Sequence, residues 1–276
     1  MASSKNGTAL TQGQVAGVTF YEREGITIAR AAHNKRTNPG RTEANMKSRT
    51  KTANLISNWR VLKPCLQDCF EDRKPLASEY NGFLSNNLSR TQVHLSKEES
   101  EGQVAVADWF VVSHGSLPGA VQVEMEGDWL VSDLKVSRLA NGGRCSLYEF
   151  GVALMEGNPG RVMWGDEIRY VALRQGVDIN TRRPVTAAAM CRVRLDEMDP
   201  RRLSAVVEGQ LFQEGFSMEE GCLRAPCREG WLGTWIVLRP QRKGRPRVTT
   251  QQLVGRNAVL ERYTSEKALR DAIESY

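Results

Sequence analysis

Val121-Gln122-Val123-Glu124-Met125-Glu126-Gly127-Asp128-Trp129-Leu130-Val131-Ser132-Asp133-Leu134-Lys135 sets two runs of alternating apolar and polar residues on either side of a Gly-Asp turn. Alternation with a period of two is the mark of a strand that buries one face. The signal recurs over Val104–Val112, Ala120–Glu126, Trp129–Lys135, Glu167–Leu173, Ala188–Leu195, Ser204–Phe212 and Thr234–Leu238. Turn residues separate these runs, among them Asn141-Gly142-Gly143, Gly157-Asn158-Pro159-Gly160 and Asp199-Pro200. Many strands with frequent turns predict a mainly antiparallel, sandwich-like β domain and not a parallel α/β sheet. Leu147–Met155 reads as a short helix on its flank. Thr264-Ser265-Glu266, followed by apolar spacing through Ile273, reads as a capped C-terminal helix.

Upstream, Val15–Tyr21 and Ile26–Arg30 are rich in β-branched residues and flank Glu22-Arg23-Glu24-Gly25, which predicts a hairpin with Gly25 at its turn. Ala31–Arg41 has no apolar periodicity and contains Pro39-Gly40, so it reads as an exposed basic connector. Thr42 is placed to cap a long helix in which Ala53, Ile56, Trp59 and Leu62 form a narrow apolar stripe. Pro64 should kink that helix or open a second one through Leu66 and Phe70. Tyr80–Asn87 reads as a turn-rich link into the sheet. The chain is therefore expected to be α+β, with a basic hairpin-arm-helix module over residues 1–95 and a β-rich domain with a C-terminal helix over 96–276. The boundary is crossed if the hairpin completes the later sheet.

Charge is concentrated at the start: residues 1–60 hold ten Lys and Arg against three Asp and Glu, in a chain of net charge +6. Arg30, Lys35, Arg36, Arg41, Lys47, Arg49 and Lys51 are candidate contacts for a partner subunit or a nucleic acid. A second acid-free patch, Arg239, Arg242, Lys243, Arg245 and Arg247 around Pro240 and Pro246, adds to them. Neither patch is interleaved with aromatic residues, as a stacking platform for single strands would be. If six cations neutralised phosphates, log K against log salt would slope at roughly −5. No stretch has the roughly 18 continuous apolar residues of a membrane span, and the polar start is unlike a signal peptide, so synthesis in a cytoplasm and no membrane partner are expected.

Motifs that carry chemistry are missing: there is no dinucleotide Gly-x-Gly-x-x-Gly, phosphate loop, His-Glu-x-x-His or Gly-x-Ser-x-Gly elbow. Ser113-His114-Gly115-Ser116-Leu117-Pro118 juxtaposes hydroxyls and an imidazole, yet neighbours in a strand point to opposite faces, and the letters suit a strand-ending turn. His33, His94 and His114 are too scattered for a metal set. Cys65-x3-Cys69, on the expected second helix, and Cys222-x4-Cys227, in an expected loop, depart from zinc-knuckle spacing. Reduced thiols are expected for these and for Cys145 and Cys191. Asp196, Glu197 and Asp199 read as a solvated turn, and Trp231 and Trp235 as packing residues. No enzyme and no cofactor are expected.

Gly13, Gly17, Gly25, Arg30, Thr42, Ala44, Asn45 and Arg49, then Leu62-Lys63-Pro64, Tyr80-Asn81 and Val112-Ser113-His114-Gly115-Ser116-Leu117, form a pattern across the first half of the chain. This pattern resembles a family of uncharacterised proteins from Bacteroidota and their phages, with similarity to phage structural proteins. Asn45 stands where that family has Gln, and the C-terminal third matches less well. The resemblance implies a non-enzymatic, virion-associated role, with other structural subunits or further copies of the chain as partners.

Overall fold

The computed structural model describes residues 13–15, 18–23, 26–31, 42–71, 78–119, 121–136, 145–209, 215–219 and 221–276. Its first half contains β1 (Gly13–Val15), β2 (Val18–Arg23), β3 (Ile26–Ala31), α1 (Glu43–Leu62), α2 (Glu79–Asn87), α3 (Lys97–Glu101), β4 (Val111–Ser113), β5 (Val123–Glu126) and β6 (Trp129–Lys135). There follow α4 (Leu147–Gly157), β7 (Glu167–Val177), β8 (Pro184–Arg194), α5 (Leu203–Val206), β9 (Glu208–Gly209), β10 (Ser217–Glu219), β11 (Cys222–Pro226) and β12 (Trp231–Arg239). The chain closes with β13 (Arg247–Val248), β14 (Gln251–Gln252), β15 (Val254–Gly255), α6 (Glu261–Thr264) and α7 (Glu266–Glu274). The α+β expectation holds, with a long N-terminal helix, antiparallel sheets and a short C-terminal helix.

A central sheet runs β13-β12-β7-β8-β9, and β15 adds to β12. Its middle strand is apolar on both faces, because both are covered. Ile168, Tyr170, Val193, Trp235 and Val237 face Leu130 and Leu134 of β6, Leu223 of β11, and Phe150 and Leu154 of α4. Those strands belong to a second sheet, β10-β11-β6-β5, so the two sheets enclose one core between them. On the opposite face Val171, Leu173, Leu232 and Ile236 share a core with Leu55 and Leu62 of α1, Phe83 of α2, Phe110 and Val112. Residues on both sides of position 95 thus contribute to one apolar cluster.

The helical layer differs from its sequence pattern. Thr42 caps α1 as expected, its hydroxyl accepting from Asn45 N–H. Yet Ala53, Ile56 and Trp59 are half-buried, while Thr50, Asn54, Leu55, Ser57, Asn58 and Leu62 turn inward. The buried face is largely polar because it meets a backbone. Residues 104–110, expected as a strand, run beside α1, buried except for Trp109, and touch β8 through Ala105 N–H on Pro184 C=O at 3.1 Å; of this run only Val111–Ser113 is a strand, paired with β14. Side-chain amides satisfy this segment instead. Asn54 donates to Val106 C=O at 3.0 Å and accepts from Val106 N–H at 2.9 Å. Asn87 brackets Val111 in the same way, at 2.9 and 2.7 Å. Gln175 and Asn257 serve Ala107.

Pro64 ends α1 in a 3-10 turn, Lys63–Cys65, and the expected second helix through Phe70 does not form. Asp68 takes a positive φ of 59°, which a helix there would not allow. Residues 79–87 are helical, not a turn-rich link, with Ser78 as N-cap. Of Ser204–Phe212, the described part is the short helix α5 and then Glu208–Gly209. Cys222 opens a strand and Cys227 follows its end, where a loop had been expected.

At the N-terminus the hairpin is present but its first arm is split: Val15 pairs with Val18, giving a three-stranded sheet β1-β2-β3. It is a separate sheet and does not complete either of the larger ones. Gly25, Asn141–Gly143 and the connector 32–41 lie outside the described residues.

Candidate functional site

The sequence candidates divide into several environments. Arg30 is exposed near the end of β3, its guanidinium 5.5 Å from the Tyr21 ring centroid. Lys35, Arg36 and Arg41 lie outside the described residues. Lys47 is exposed on α1, and Arg49 is half-buried against Met46 Sδ. Lys51 is buried at 8 % exposure, its ammonium 3.5 Å from Gln92 Oε1, so it is not a surface contact. Arg239 forms a bidentate pair with buried Asp166 at 2.9 and 2.8 Å. Arg247 donates to Ser116 Oγ and C=O. Arg242 and Lys243 are exposed, and Arg245 is half-buried.

No sequence motif announced a cleft of about 670 Å³ between Asp108-Trp109, Arg90, Gln92, Glu229 and Arg256. Its floor is a buried carboxylate. Asp108 is 8 % exposed and accepts from Thr91 Oγ1 and Trp109 N–H, each at 2.7 Å. Burial raises its pKa, and those two hydrogen bonds, with Lys51 nearby, oppose the rise. Behind it, burial lowers the pKa of Lys51, with help from Lys47. His94 sits 2.9 Å from Thr50 Oγ1 and is pushed down to about 4, first by burial and then by Lys51 and Lys47. Trp109 is 46 % exposed, yet its indole N–H is tied to Gly255 C=O at 3.1 Å. A fixed aromatic face beside a desolvated carboxylate in a cleft makes this a candidate site.

The sequence reading placed Asp108 and Trp109 within a strand. The signal that sets them apart is an Asp-Trp pair interrupting the apolar run Val104–Val112.

The other residues singled out are structural. Ser113 Oγ donates to Thr249 C=O at 2.6 Å, and His114 faces Thr250, so the Ser-His-Gly-Ser run ties β4 to the C-terminal strands. Trp235 is fully buried with its indole N–H on Gly215 C=O; Trp231 is half-buried beneath Arg174, 4.1 Å from its ring centroid. Asp199 pairs with Arg201 in its turn. All six cysteines are free, and burial pushes Cys65 up to about 11 and Cys69 up to about 12. Among the described residues no group of three or more His, Cys, Asp or Glu gathers as a metal would require. No helix in them is long and apolar enough to cross a membrane. No family model, curated protein or solved structure matches the chain.

Proposed function

We propose that the protein is a non-enzymatic assembly component, a structural subunit of a phage or prophage particle, that contacts neighbouring copies of itself through its N-terminal sheet. The observation that carries this reading is the position of β1-β2-β3 outside every described core. Among the residues of that sheet whose side chains are described, 18–22 and 27–31, none enters the three apolar clusters, and Thr27 and Ala29–Ala31 are exposed. Its strands are three to six residues long, and a sheet this small gains stability when its face is covered. Among the described strands β3 is an edge of that sheet, and an edge strand suits strand addition by a second copy. The resemblance of the N-terminal letters to phage structural proteins supports the virion setting.

Deleting residues 1–41 tests the reading. The truncated chain is expected to keep the signal of buried Trp235 while losing the particle size of the full chain in sedimentation. Assembly of the truncated chain to the full chain's size would sink the proposal.

A further inference from the structure

We infer that the mouth of a second cavity, beside Arg194 and the loop 240–246, binds the phosphate backbone of a nucleic acid. This inference is independent of the assembly reading. The cavity, about 260 Å³, lies between Arg192 and Arg194 of β8, Glu167 and Arg169 of β7, and the Pro240–Pro246 segment.

The register of the central sheet builds a row of cations there. Arg169 lies directly opposite Arg192, and Arg194 directly opposite Glu167. All four residues share one sheet face, since cross-strand partners and alternate residues point the same way. Like charges placed directly opposite destabilise a sheet unless something neutralises them. For this pair the chain supplies a carboxylate to each member. Glu167 Oε1 accepts from Arg169 Nε and Nη2 at 2.9 and 2.6 Å, and Arg169 Nη1 donates to the Cys65 and Gln67 carbonyls and to Cys69 Sγ. Glu208 holds Arg192 at 2.7 Å. Asp68 is the other carboxylate in the wall. The side chains of Arg194, Arg242, Lys243 and Arg245 have neither an ion pair nor a hydrogen bond among the described residues. The wall holds Arg169, Arg192 and Arg194 against Asp68 and Glu167, and with Arg242, Lys243 and Arg245 of the adjoining loop and Glu208 beside Arg192 the region has six cations and three carboxylates.

The loop adds neutral donors. Pro240 and Pro246 bracket it, Gly244 takes a φ of +94°, and none of the five amides from Gln241 to Arg245 donates to a backbone carbonyl among the described residues. Free amides beside unpaired guanidinium groups are a phosphate-binding combination. Two features point to a nucleic-acid backbone. No aromatic side chain lines the cavity, so contact would be to backbone and not to bases. The loop Pro-Gln-Arg-Lys-Gly-Arg-Pro carries no large apolar residue to enter a lipid surface.

The test is fluorescence anisotropy of the full chain with a labelled DNA duplex of random sequence across a salt series. Four phosphate contacts predict a slope of about −3.6 in log K against log salt. Arg194→Ala should flatten it by about 0.9, and Arg194→Lys should restore it. Replacing Arg194, Arg242, Lys243 and Arg245 together by Ala should weaken binding at low salt at least about tenfold. Unchanged affinity and slope in that fourfold variant would overturn the inference and leave any binding to the N-terminal arm. So would absence of duplex binding at low salt, or capture by phosphatidylserine vesicles in place of the duplex.

Discussion

Asn54 shows how a residue that reads as poor helix material decides a local structure. It spends both ends of its amide on the backbone of Val106, while Asn58 donates to the same carbonyl at 3.0 Å. An unsatisfied buried polar group costs about 1–3 kcal/mol. Asn54→Ala, which strands the Val106 N–H, is therefore expected to lower stability by about 2–3 kcal/mol in urea unfolding. Ile56→Ala, on the half-buried face first read as the apolar stripe, should cost less than Asn54→Ala. His94 makes a second residue-scale prediction. Its folded pKa of about 4 lies below the ordinary 6.5, so the unfolded chain binds more protons between these values. Its contribution is fully present above about pH 6.5 and falls as pH drops towards 4. His94→Gln should flatten the loss of stability over that window; an unchanged pH profile would contradict the burial argument. Asp108, with its pKa raised by burial, works in the opposite sense, favouring the folded state at lower pH.

At the scale of elements, periodicity was enough where a strand has a strand beside it. The runs 129–135, 167–173 and 234–238 lie within β6, β7 and β12. It failed for 104–110, where the apolar letters are buried as a strand's would be but amide side chains replace the neighbouring strand. Nothing local in the sequence says that Asn54, Asn87, Gln175 and Asn257 converge on one segment, because they come from four distant places. The same is true of α2, where Asn and Gly letters suggested turns. Gly82 is there for space: a Cβ would stand 2.7 Å from Phe70 Cβ and Cγ. A helical Gly→Ala change ordinarily gains about 1 kcal/mol. Gly82→Ala should instead lose about 1–3 kcal/mol through overpacking, measured by thermal unfolding.

Across the whole molecule, sequence alone showed where charge is concentrated but not which cations are available. Lys51 is buried, and Arg239 and Arg247 are held by Asp166 and Ser116. Arg194, unremarkable in sequence, joins the basic loop only through the register of β7 and β8. The cleft at Asp108 was equally illegible, since its walls come from residues as far apart as Arg90 and Thr264. The N-terminal hairpin, by contrast, was readable, and its separation from the cores is what the assembly account rests on. That account is tested most directly by the solution mass of the full chain from light scattering, at low and at high salt. It predicts a discrete oligomer of the same mass in both, because strand pairing and apolar contact survive screening that dissolves charge-driven clusters. A monomer mass at both salt concentrations would contradict it.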